Sequence, residues 1–408
     1  MSSVAVLAVW LGVSSAALNG QTPAALAPPG LTLAEAIERA VAVNPTIAAA
    51  RLQRPVDLAA VGVARERPNP EVLYESSKET PRQAIGATLP LELGGKRQRR
   101  IDLATSTIAV NEADLGRVIA DIRNEVRRAY FEAAAATLRV QMSLDVRTLA
   151  QRARDAANAR VLAGDVPQSD LTQSDLALAT SENELVAARG EADATQAELN
   201  LLLGRPADTT AHLSDALTAG GMPTRPEALA LAAQSNTDVQ LLDRRIAEQT
   251  SRINLAKALT TPDVAVSSTF TYDAEPEFRY GWRMSVSATV PVLTKHRAGV
   301  LVEESALARL QGERVAVVTR MEGAIVAALT RATAAREQMT RYQSSILPLT
   351  IESERQAQAA YSGGQIGLPV LVQALQTARE TRQRGLQIGL DYQHALADLE
   401  KAIGAPGR

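Results

Sequence analysis

The sequence predicts a mainly α-helical protein with a small β part of four strands per chain, and three observations support this fold class. Aromatic residues are only 3% of the 408 residues although 46% are hydrophobic, which suits long helices packed side by side better than a globular core. The run from about Lys96 to Ala163 contains no proline and a single glycine, Gly116. Two other regions alternate apolar and polar residues, as strands do.

The charge and cysteine content exclude several classes of protein. The 43 basic and 45 acidic residues leave a net charge of -2, which gives no sign of nucleic-acid binding. The sequence has no cysteine. Disulfides, thiolate metal sites, cysteine nucleophiles and a lipid-modified N-terminal cysteine are therefore ruled out.

The N-terminus carries an apolar run, Val4 to Val13, followed by small residues that end in A-L-A at 25–27. This order resembles the apolar core and cleavage site of a secretory signal peptide, predicted at residues 1–27 with cleavage after Ala17 or Ala27. A frayed hydrophobic terminus is the alternative. No other segment has the roughly 18 uninterrupted apolar residues of a membrane-spanning helix.

Most of the remaining sequence is an internal repeat. A-V-N-P around Asn44 is echoed by Q-S-N-T around Asn236, and further matched pairs follow in the same order as far as Gly204 and Gly404. The first copy spans residues 31–204 and the second spans residues 223–404. The second copy is the longer one, and the difference lies in its strand-like region.

Each copy is predicted to contain a short helical stretch, a strand hairpin, a long helix, a glycine-marked turn and a shorter helix. The helices and hairpins are expected at 33–67, about 70–92, about 96–163 and 168–203, and then at 226–259, about 263–292, about 295–362 and 368–403. At 1.5 Å per residue, each long helix would reach about 100 Å. Apolar residues recur every seven positions through Ile101, Ile108, Leu115 and Ile122. A long antiparallel coiled coil explains this pattern as well as a transport tunnel does.

The strands distinguish these two interpretations. In Y-G-W-R-M-S-V-S-A-T-V-P-V, residues 280–292, apolar side chains fall on one face and small or polar ones on the other. The preceding strand, from Val264 to Tyr272, alternates in the same way. Each strand has about ten residues, enough to cross a bilayer when tilted. An ordinary hairpin that rests on a helical core is the alternative.

Aromatic side chains cluster near the turn of this hairpin, at Phe270, Tyr272, Tyr280 and Trp282. A lipid-facing belt of aromatic residues is expected at that height, because their rings favour the headgroup region. The hairpin of the first copy shows a weaker alternating pattern, because its ascending strand is short and carries only Val72 and Tyr74 on the apolar face.

Two hairpins supply only four strands, which cannot close into a barrel. An open edge in lipid leaves backbone groups unpaired at a cost of several kcal/mol each, so other copies of the chain must complete the barrel. Three copies would give twelve strands and a water-filled lumen, whereas two would give eight strands and a filled interior.

Four sequence elements stand out in this double arrangement: L-T-L-A-E-A-I-E-R-A-V-A-V-N-P at 31–45, L-P-L-E-L-G-G-K-R at 89–97, and the G-D-V-P-Q-S-D-L and G-Q-I-G-L-P-V-L turns. Together these features resemble the outer-membrane efflux (TolC-like) family. The resemblance implies a trimeric, twelve-stranded transmembrane β-barrel in the cell outer membrane, continued by a long α-helical barrel through the periplasm. The implied partners are outer membrane lipid, a periplasmic adaptor protein and an inner-membrane efflux pump of resistance-nodulation-division type.

The E-L-G-G-K-R element is most similar to the branch of the family that serves cobalt, zinc, cadmium or copper pumps. A heavy-metal cation pump is therefore the expected partner, and a channel for drugs or other small molecules is the alternative. Members of the metal branch often carry an acylated N-terminal cysteine. Since this sequence has none, the barrel alone would hold the chain in the membrane.

The resemblance also implies the working residues at the periplasmic end. The turns after the long helices would be adaptor-docking tips, at Gly164, Val166, Gly364, Ile366 and Gly367. Family channels often have acidic residues at the entrance, just after the second turn, where this sequence has Val370 and Gln373. Asp165 and Asp170 in the first-copy turn are the entrance candidates, since carboxylates there would attract cations. They suit a turn and a helix start equally well.

Four cations, Lys96, Arg97, Arg99 and Arg100, begin the first long helix. Positive charge at a helix N-terminus opposes the helix dipole, so a compensating anion is expected. Lipid phosphate at the inner rim of the barrel would serve, and a solvated face is the alternative.

Catalysis has little support in the sequence. His212, His296 and His394 lie far apart, and none has a partner at the spacing of a helical metal pair. No phosphate-binding G-x-x-x-x-G-K-[ST] loop is present. We therefore expect no enzyme activity, no metal site and no cofactor. The alternative from another class is a periplasmic or secreted coiled-coil scaffold, which would not need the strand alternation or the clustered aromatics.

Overall fold

The computed structural model of the chain describes residues 30–218, 220–274 and 278–404. The expected signal peptide at residues 1–27 lies outside the described residues, as does the centre of the turn between the last two strands. Within these ranges, no helix is both long enough and apolar enough to cross a membrane.

The first half of the chain contains five helices and two strands among its described residues. They are α1 (Leu33–Val43), α2 (Pro45–Arg51), α3 (Gln53–Arg65), β1 (Glu71–Ser76), β2 (Gln83–Leu91), α4 (Lys96–Leu162) and α5 (Gln168–Leu202). The longest of them, α4, has 67 residues and is therefore about 100 Å long.

The second half repeats this order. Its elements are α6 (Arg225–Ser235), α7 (Thr237–Ala258), β3 (Asp263–Ala274), β4 (Phe278–Thr289), α8 (Arg297–Arg341), a π-helical turn (Tyr342–Ile346), α9 (Leu347–Ser362) and α10 (Leu368–Ile403). The predicted fold class, mainly helical with four strands per chain, is confirmed.

The structure interrupts three helical stretches that the sequence pattern left continuous. The first short stretch breaks at Asn44 and Leu52, and its counterpart breaks at Asn236. The second long helix passes through the π-helical turn just before Pro348. Proline lacks an N–H group and its ring crowds the carbonyl four residues earlier, so the preceding turn widens.

Asn44 and Asn236 perform the same structural task in the two halves. Each is buried and caps the helix that follows, accepting a hydrogen bond from the N–H of Thr46 or Val239 at 2.9 Å. Each also donates its side-chain amide to the last turn of a distant helix, Asn44 to the carbonyl of Leu202 and Asn236 to the carbonyl of Ala402. These bonds tie the short helices of each half to the end of its last helix.

The apolar core lies at mid-height, where the short helices pack on the long ones. One cluster joins α1, α2, α4, α5 and α10 around Tyr130 and Phe131, and a second joins α6, α7, α8 and α10 around Ile325. Ile122, the last member of the predicted seven-residue series, is buried in the first cluster, while Leu115 packs against its edge. Tyr130 and Phe131 thus lie in the first cluster, whereas another buried aromatic residue, Tyr361, lies apart from it near the end of α9.

Polar contacts between α4 and α10 hold the halves together. The buried guanidinium of Arg127 donates to Glu400 and, at 2.9 Å, to Gln393, and it lies over the ring of Phe131. Tyr130 donates its hydroxyl to the carbonyl of Leu31 at 2.7 Å, and burial raises the pKa of this phenol. Because the Arg127 contacts join α4 of the first copy to α10 of the second, the two copies form one folded unit.

Replacing Asn236 by alanine should destabilise the protein by roughly 2–3 kcal/mol, since it removes a helix cap and leaves a buried carbonyl without its donor. The midpoint temperature of heat-induced unfolding, followed by circular dichroism of the detergent-solubilised protein, measures the effect. Gln234→Ala, at an exposed position on the preceding helix, is the matched control and should change little. Equal midpoints for the two variants would contradict the capping role.

Candidate functional site

The four strands form one antiparallel sheet in the order β1-β2-β3-β4. Its central pair, β2 with β3, joins the two halves of the chain in a register that runs from Gln83 opposite Tyr272 to Leu91 opposite Val264. The outer edges of β1 and β4 have no strand beside them in the described part of the chain. The sheet is therefore open on both sides.

One face of the sheet is apolar and exposed on all four strands. Val72 and Tyr74 stand opposite Ala87 and Ile85, and the row continues across β3 and β4. The large exposed side chains on this face are Val72, Tyr74, Ile85, Leu89, Leu91, Phe270, Tyr272, Tyr280, Trp282, Met284 and Val286. Trp282 and Val286 are each 69% exposed. A soluble protein rarely leaves so wide an apolar surface uncovered.

The opposite face is mostly small and polar. It carries Thr88, Ser267, Thr269, Thr271, Ser285 and Ser287 among its side chains, and the hydroxyls of Thr88 and Ser267 are 2.9 Å apart. Leu73 is an exception that is 57% exposed on this face. The alternation in the sequence therefore corresponds to two real surfaces, one suited to an apolar environment and one suited to water.

The four aromatic residues of the expected belt lie together near the β3–β4 turn. Phe270 stands opposite Trp282, and Tyr272 stands opposite Tyr280 with ring centroids 5.6 Å apart. Tyr74 of β1 lies in the same row as Phe270 and Trp282, through Ile85. Sequence reasoning left Tyr74 out of the belt, because its height follows from strand register and not from spacing along the chain.

The joint between the sheet and the long helix depends on two glycines and an ion pair. Gly94 and Gly95 have φ of 67° and 71°, a left-handed conformation that favours glycine. The turn they make brings the buried ammonium of Lys96 within 2.5 Å of the carboxylate of Asp263, at the start of β3. The G-G-K element therefore fixes how the helix leaves the sheet.

The other cations at the start of α4 are also held within the chain. Arg100 forms a two-point ion pair with Glu92, and hydrogen bonding from Arg100 lowers the pKa of that carboxyl. Arg97 donates to the carbonyl of Arg65 at 2.7 Å, and Arg99 lies 3.5 Å from Asp102. Glu92, Asp102 and Asp263 therefore supply compensating anions within the chain. A contact of this cluster with lipid phosphate stays a prediction.

The two helix tips have the same backbone geometry. Gly164 and Gly364 have φ of 79° and 68°, in the left-handed region, and each follows the last turn of a long helix. The N–H of Asp165 donates to the carbonyl of Arg160, and the N–H of Gln365 donates to that of Ala360, at 2.9 and 2.8 Å. These bonds satisfy carbonyls that a helix end otherwise leaves free.

The tips also lie at the same end of the molecule. The guanidinium of Arg160, beside the first tip, stands over the ring of Tyr361, beside the second, 5.5 Å from its centroid. Ile366 packs against the small cluster of Tyr361 and Leu371, whereas Gly164 and Gly364 have open space around them. Pro369 is in the first turn of α10, whereas Pro167 is the N-cap residue of α5.

The remaining tip residues are available at the surface. Asp165 is exposed and Asp170 is half-buried in the first turn of α5, and neither carboxylate pairs with another side chain among the described residues. Gly367 caps α10, and Val370 and Gln373 of that helix are exposed. Their roles in docking and at the entrance stay predictions.

The three histidines occupy unrelated places. His212 is exposed in a loop, and His296 caps α8 in a left-handed conformation at the position that matches Gly95 of the first copy. His394 lies 3.1 Å from Glu132, and burial, with nearby Arg128, lowers the pKa of its imidazole. Across the described ranges, no group of three or more histidine and acidic side chains is placed to hold a metal ion.

Comparison with known proteins agrees with this arrangement. Residues 36–205 match a family described as outer membrane efflux protein. The chain is 25% identical to the cobalt-zinc-cadmium resistance protein CzcC of Cupriavidus metallidurans, over 92% of this chain and 90% of the relative.

Two solved structures share its fold over nearly the whole length. The outer membrane channel MtrE of Neisseria gonorrhoeae, in an open state, has a TM-score of 0.75 at 16% identity and covers 91% of this chain and 89% of its own. The outer membrane protein VceC of Vibrio cholerae has a TM-score of 0.73 at 15% identity and covers 91% and 96%. The two-copy arrangement of hairpins and long helices is thus a known architecture.

Replacing Lys96 by methionine should destabilise the joint by roughly 1–2 kcal/mol, because a buried, charge-assisted bond to Asp263 is lost. Arg99→Met, which removes an exposed pair three positions along the same helix, should cost at most about 0.5 kcal/mol. Heat-induced unfolding of the two detergent-solubilised variants gives the comparison. If Arg99→Met were the more damaging change, the joint would depend on something other than the Lys96–Asp263 pair.

Proposed function

We infer that this chain, which belongs to the outer membrane efflux protein family, forms the outer-membrane channel of a tripartite efflux system. The observation that carries this function is the open four-stranded sheet, which is apolar on one face, polar on the other and exposed on both. A channel wall in a membrane needs these two unlike faces, since lipid lies on one side and water on the other.

The sheet has the dimensions of a membrane wall. Strands β3 and β4 have 12 residues each, which exceeds the 9–11 or so that a tilted strand needs to cross the hydrocarbon layer. The apolar face would contact lipid, and Phe270, Tyr272, Tyr280 and Trp282 would lie at the outer headgroup level. The polar face would then line the aqueous lumen.

Closure of this wall requires further copies of the chain. In lipid, the free edges of β1 and β4 would each leave a row of backbone groups unpaired, and this cost is removed when the strands form a closed ring. Cyclic symmetry closes such a ring with one repeated contact. Three chains give twelve strands, which are wide enough for a water-filled lumen, so we propose a homotrimer.

The long helices would continue the conduit through the periplasm. From the sheet, α4 extends about 100 Å to the first tip, which the contact of Arg160 with Tyr361 places at the same end as the second tip. We propose that these tips, with Val166, Ile366 and Gly367, dock onto a periplasmic adaptor. The adaptor would connect the channel to an inner-membrane pump that selects the cargo and supplies the energy, so the channel itself acts as a passive conduit.

The proposed cargo is a divalent heavy-metal cation. Its support is the likeness to CzcC, a cobalt-zinc-cadmium resistance protein, along most of both chains. The free carboxylates of Asp165 and Asp170 near the tips would attract cations toward the entrance. Resistance of cells to metal salts, compared with their resistance to uncharged drugs, separates this cargo from the drug alternative.

The assignment of the two faces is tested by introducing an arginine at one or the other of two adjacent positions of β4. Val286→Arg, on the apolar face, should oppose membrane insertion by roughly 2–4 kcal/mol if the residue lies near the bilayer centre. Ser287→Arg, on the polar face, should insert normally and narrow the lumen. The amount of each variant that fractionates with detergent-solubilised outer membrane is the measurement. Equal insertion of the two would mean that the faces or their solvents are assigned wrongly.

The role of the tips as the working end, which docks onto the adaptor, is tested at the second tip. Gly364→Val places a β-branched residue at a φ of 68°, which is costly for any residue other than glycine, so the turn should be distorted. We expect the variant to assemble and insert normally, because the strands lie about 100 Å away, but to lose adaptor crosslinking and cobalt, zinc and cadmium resistance.

The neighbouring Gly363→Ala is the matched control for this change. Gly363 has an ordinary φ of -80°, which alanine adopts without strain. The added Cβ would lie 3.3 Å from the carbonyl oxygen of Ala359, so only a small local shift is needed and resistance should be kept. Retained resistance in Gly364→Val would show that the tip is not the working end. Loss of assembly together with resistance would show that the turn matters only for folding.

A further inference from the structure

The polar face of the sheet carries opposite charges on its two free edges. Glu71 and Glu75 lie on β1, whereas Arg279 and Arg283 lie on β4. Within each strand the two side chains share the polar face, because residues an even number apart point the same way. Between the edges, β2 and the part of β3 from Ala265 to Thr271 place only small or uncharged residues on this face.

Three of these four charges have no partner among the residues that the structure describes. Glu71, Glu75 and Arg283 are exposed, and none of them forms an ion pair or a side-chain hydrogen bond among the residues that the structure describes. The guanidinium of Arg279 lies over the ring of the adjacent Tyr280, 5.6 Å from its centroid. Asp263, at the start of β3 on the same face, is already paired with Lys96. Exposed charges at the two edges, with small or uncharged side chains between them, are placed to meet a neighbour.

We propose that the two charged edges meet across each junction of the trimer. The β1 edge of one copy lies beside the β4 edge of the next, and Glu71 and Glu75 form lumen-facing ion pairs with Arg279 and Arg283 of that copy. This inference rests on the proposed trimeric barrel and adds the contacts that hold its junctions together. We call this row of charges the junction seam.

The spacing of the charges fits an antiparallel junction. Both glutamates and both arginines are four residues apart in their strands, and β1 and β4 run in opposite directions in the sheet. One register therefore sets Glu71 opposite Arg283 and Glu75 opposite Arg279 at the same time. A shift of four residues either way still leaves one glutamate opposite one arginine, and opposite charges in directly facing positions stabilise a strand pair.

The same charges disfavour other ways of covering the edges. Two β1 edges brought together would set glutamates against glutamates, and two β4 edges would set arginines against arginines. Like charges in facing positions are destabilising. The edges therefore select the head-to-tail contact that a closed ring repeats, and they oppose open sheets that would grow from like edges.

The seam has a consequence for conduction. Each junction places carboxylates and guanidinium groups side by side on the lumen wall, so their charges offset one another. A ring of charges of one sign would select ions by sign. The barrel wall at this height would instead be close to neutral, which leaves selection of the cargo to the other end of the assembly.

Disulfide crosslinking is a direct test, because the sequence contains no cysteine that would compete. Four double variants combine Glu71→Cys or Glu75→Cys with Arg279→Cys or Arg283→Cys. Each is oxidised in isolated outer membranes and resolved on a denaturing, non-reducing gel. We expect at least one of the four to give a covalently linked trimer, since a disulfide forms only where the two Cα atoms are within about 7 Å.

Two controls make the gel unambiguous. The pair Ala84→Cys and Thr271→Cys, which face each other on β2 and β3, should form a disulfide inside one chain and run as a monomer. Single-cysteine variants should give no ladder, because equivalent edges do not meet. If the protein is trimeric by native mass but none of the four pairs crosslinks, the junction seam is wrong while the proposed channel stands. If no trimer exists, the proposed function itself is wrong.

Charge reversal separates ion pairing from mere proximity. Changing Glu71 and Glu75 to arginine should lower the temperature at which the trimer dissociates, and also changing Arg279 and Arg283 to glutamate should restore it. Glu79→Arg, in the turn beyond β1, is the control and should have no effect. A fourfold variant that remains as unstable as the twofold one would overturn the ion pairs.

Discussion

The need to pair every backbone hydrogen-bonding group at the edges of the sheet governs the rest of this structure. In water, the apolar face of this four-stranded sheet would be exposed to solvent. In lipid, the backbone N–H and C=O groups at the outer edges of β1 and β4 would have no hydrogen-bond partners. Both demands are met when several copies share one barrel. The two hairpins per chain, and the absence of any layer over the sheet among the described elements, then follow because each copy contributes only part of the barrel wall.

The helices extend this requirement away from the membrane. Lys96 at the start of α4 pairs with Asp263 at the start of β3. This ion pair fixes the long helix of the first copy of the repeat to a strand of the second copy. The Arg127 contacts join the same helix to α10 at mid-height. These contacts fix the helices relative to the strands, so the barrel and the helices form one continuous conduit.

Local patterns in the sequence predicted much of this arrangement, whereas contacts between residues far apart in the chain could not be predicted. Alternation between 264 and 292 revealed both faces of the second hairpin, and Gly164 and Gly364 marked the tips, because each signal depends only on neighbouring residues. The Lys96–Asp263 pair joins residues on opposite sides of the repeat boundary, so the sequence offered only lipid phosphate or a solvated face as explanations of the basic cluster. Tyr74 was missed as part of the aromatic row for the same reason. The helix breaks at Asn44 and Asn236 depend on where the side-chain amides find carbonyl partners in other helices.

The claim that other copies complete the sheet is tested most directly by the mass of the assembled particle. Native mass measurement of the protein, extracted from outer membranes in a mild detergent, should give a particle of three chains and no folded single chain. A well-folded monomer as the main species would contradict the account, because its sheet edges would then be satisfied without partners.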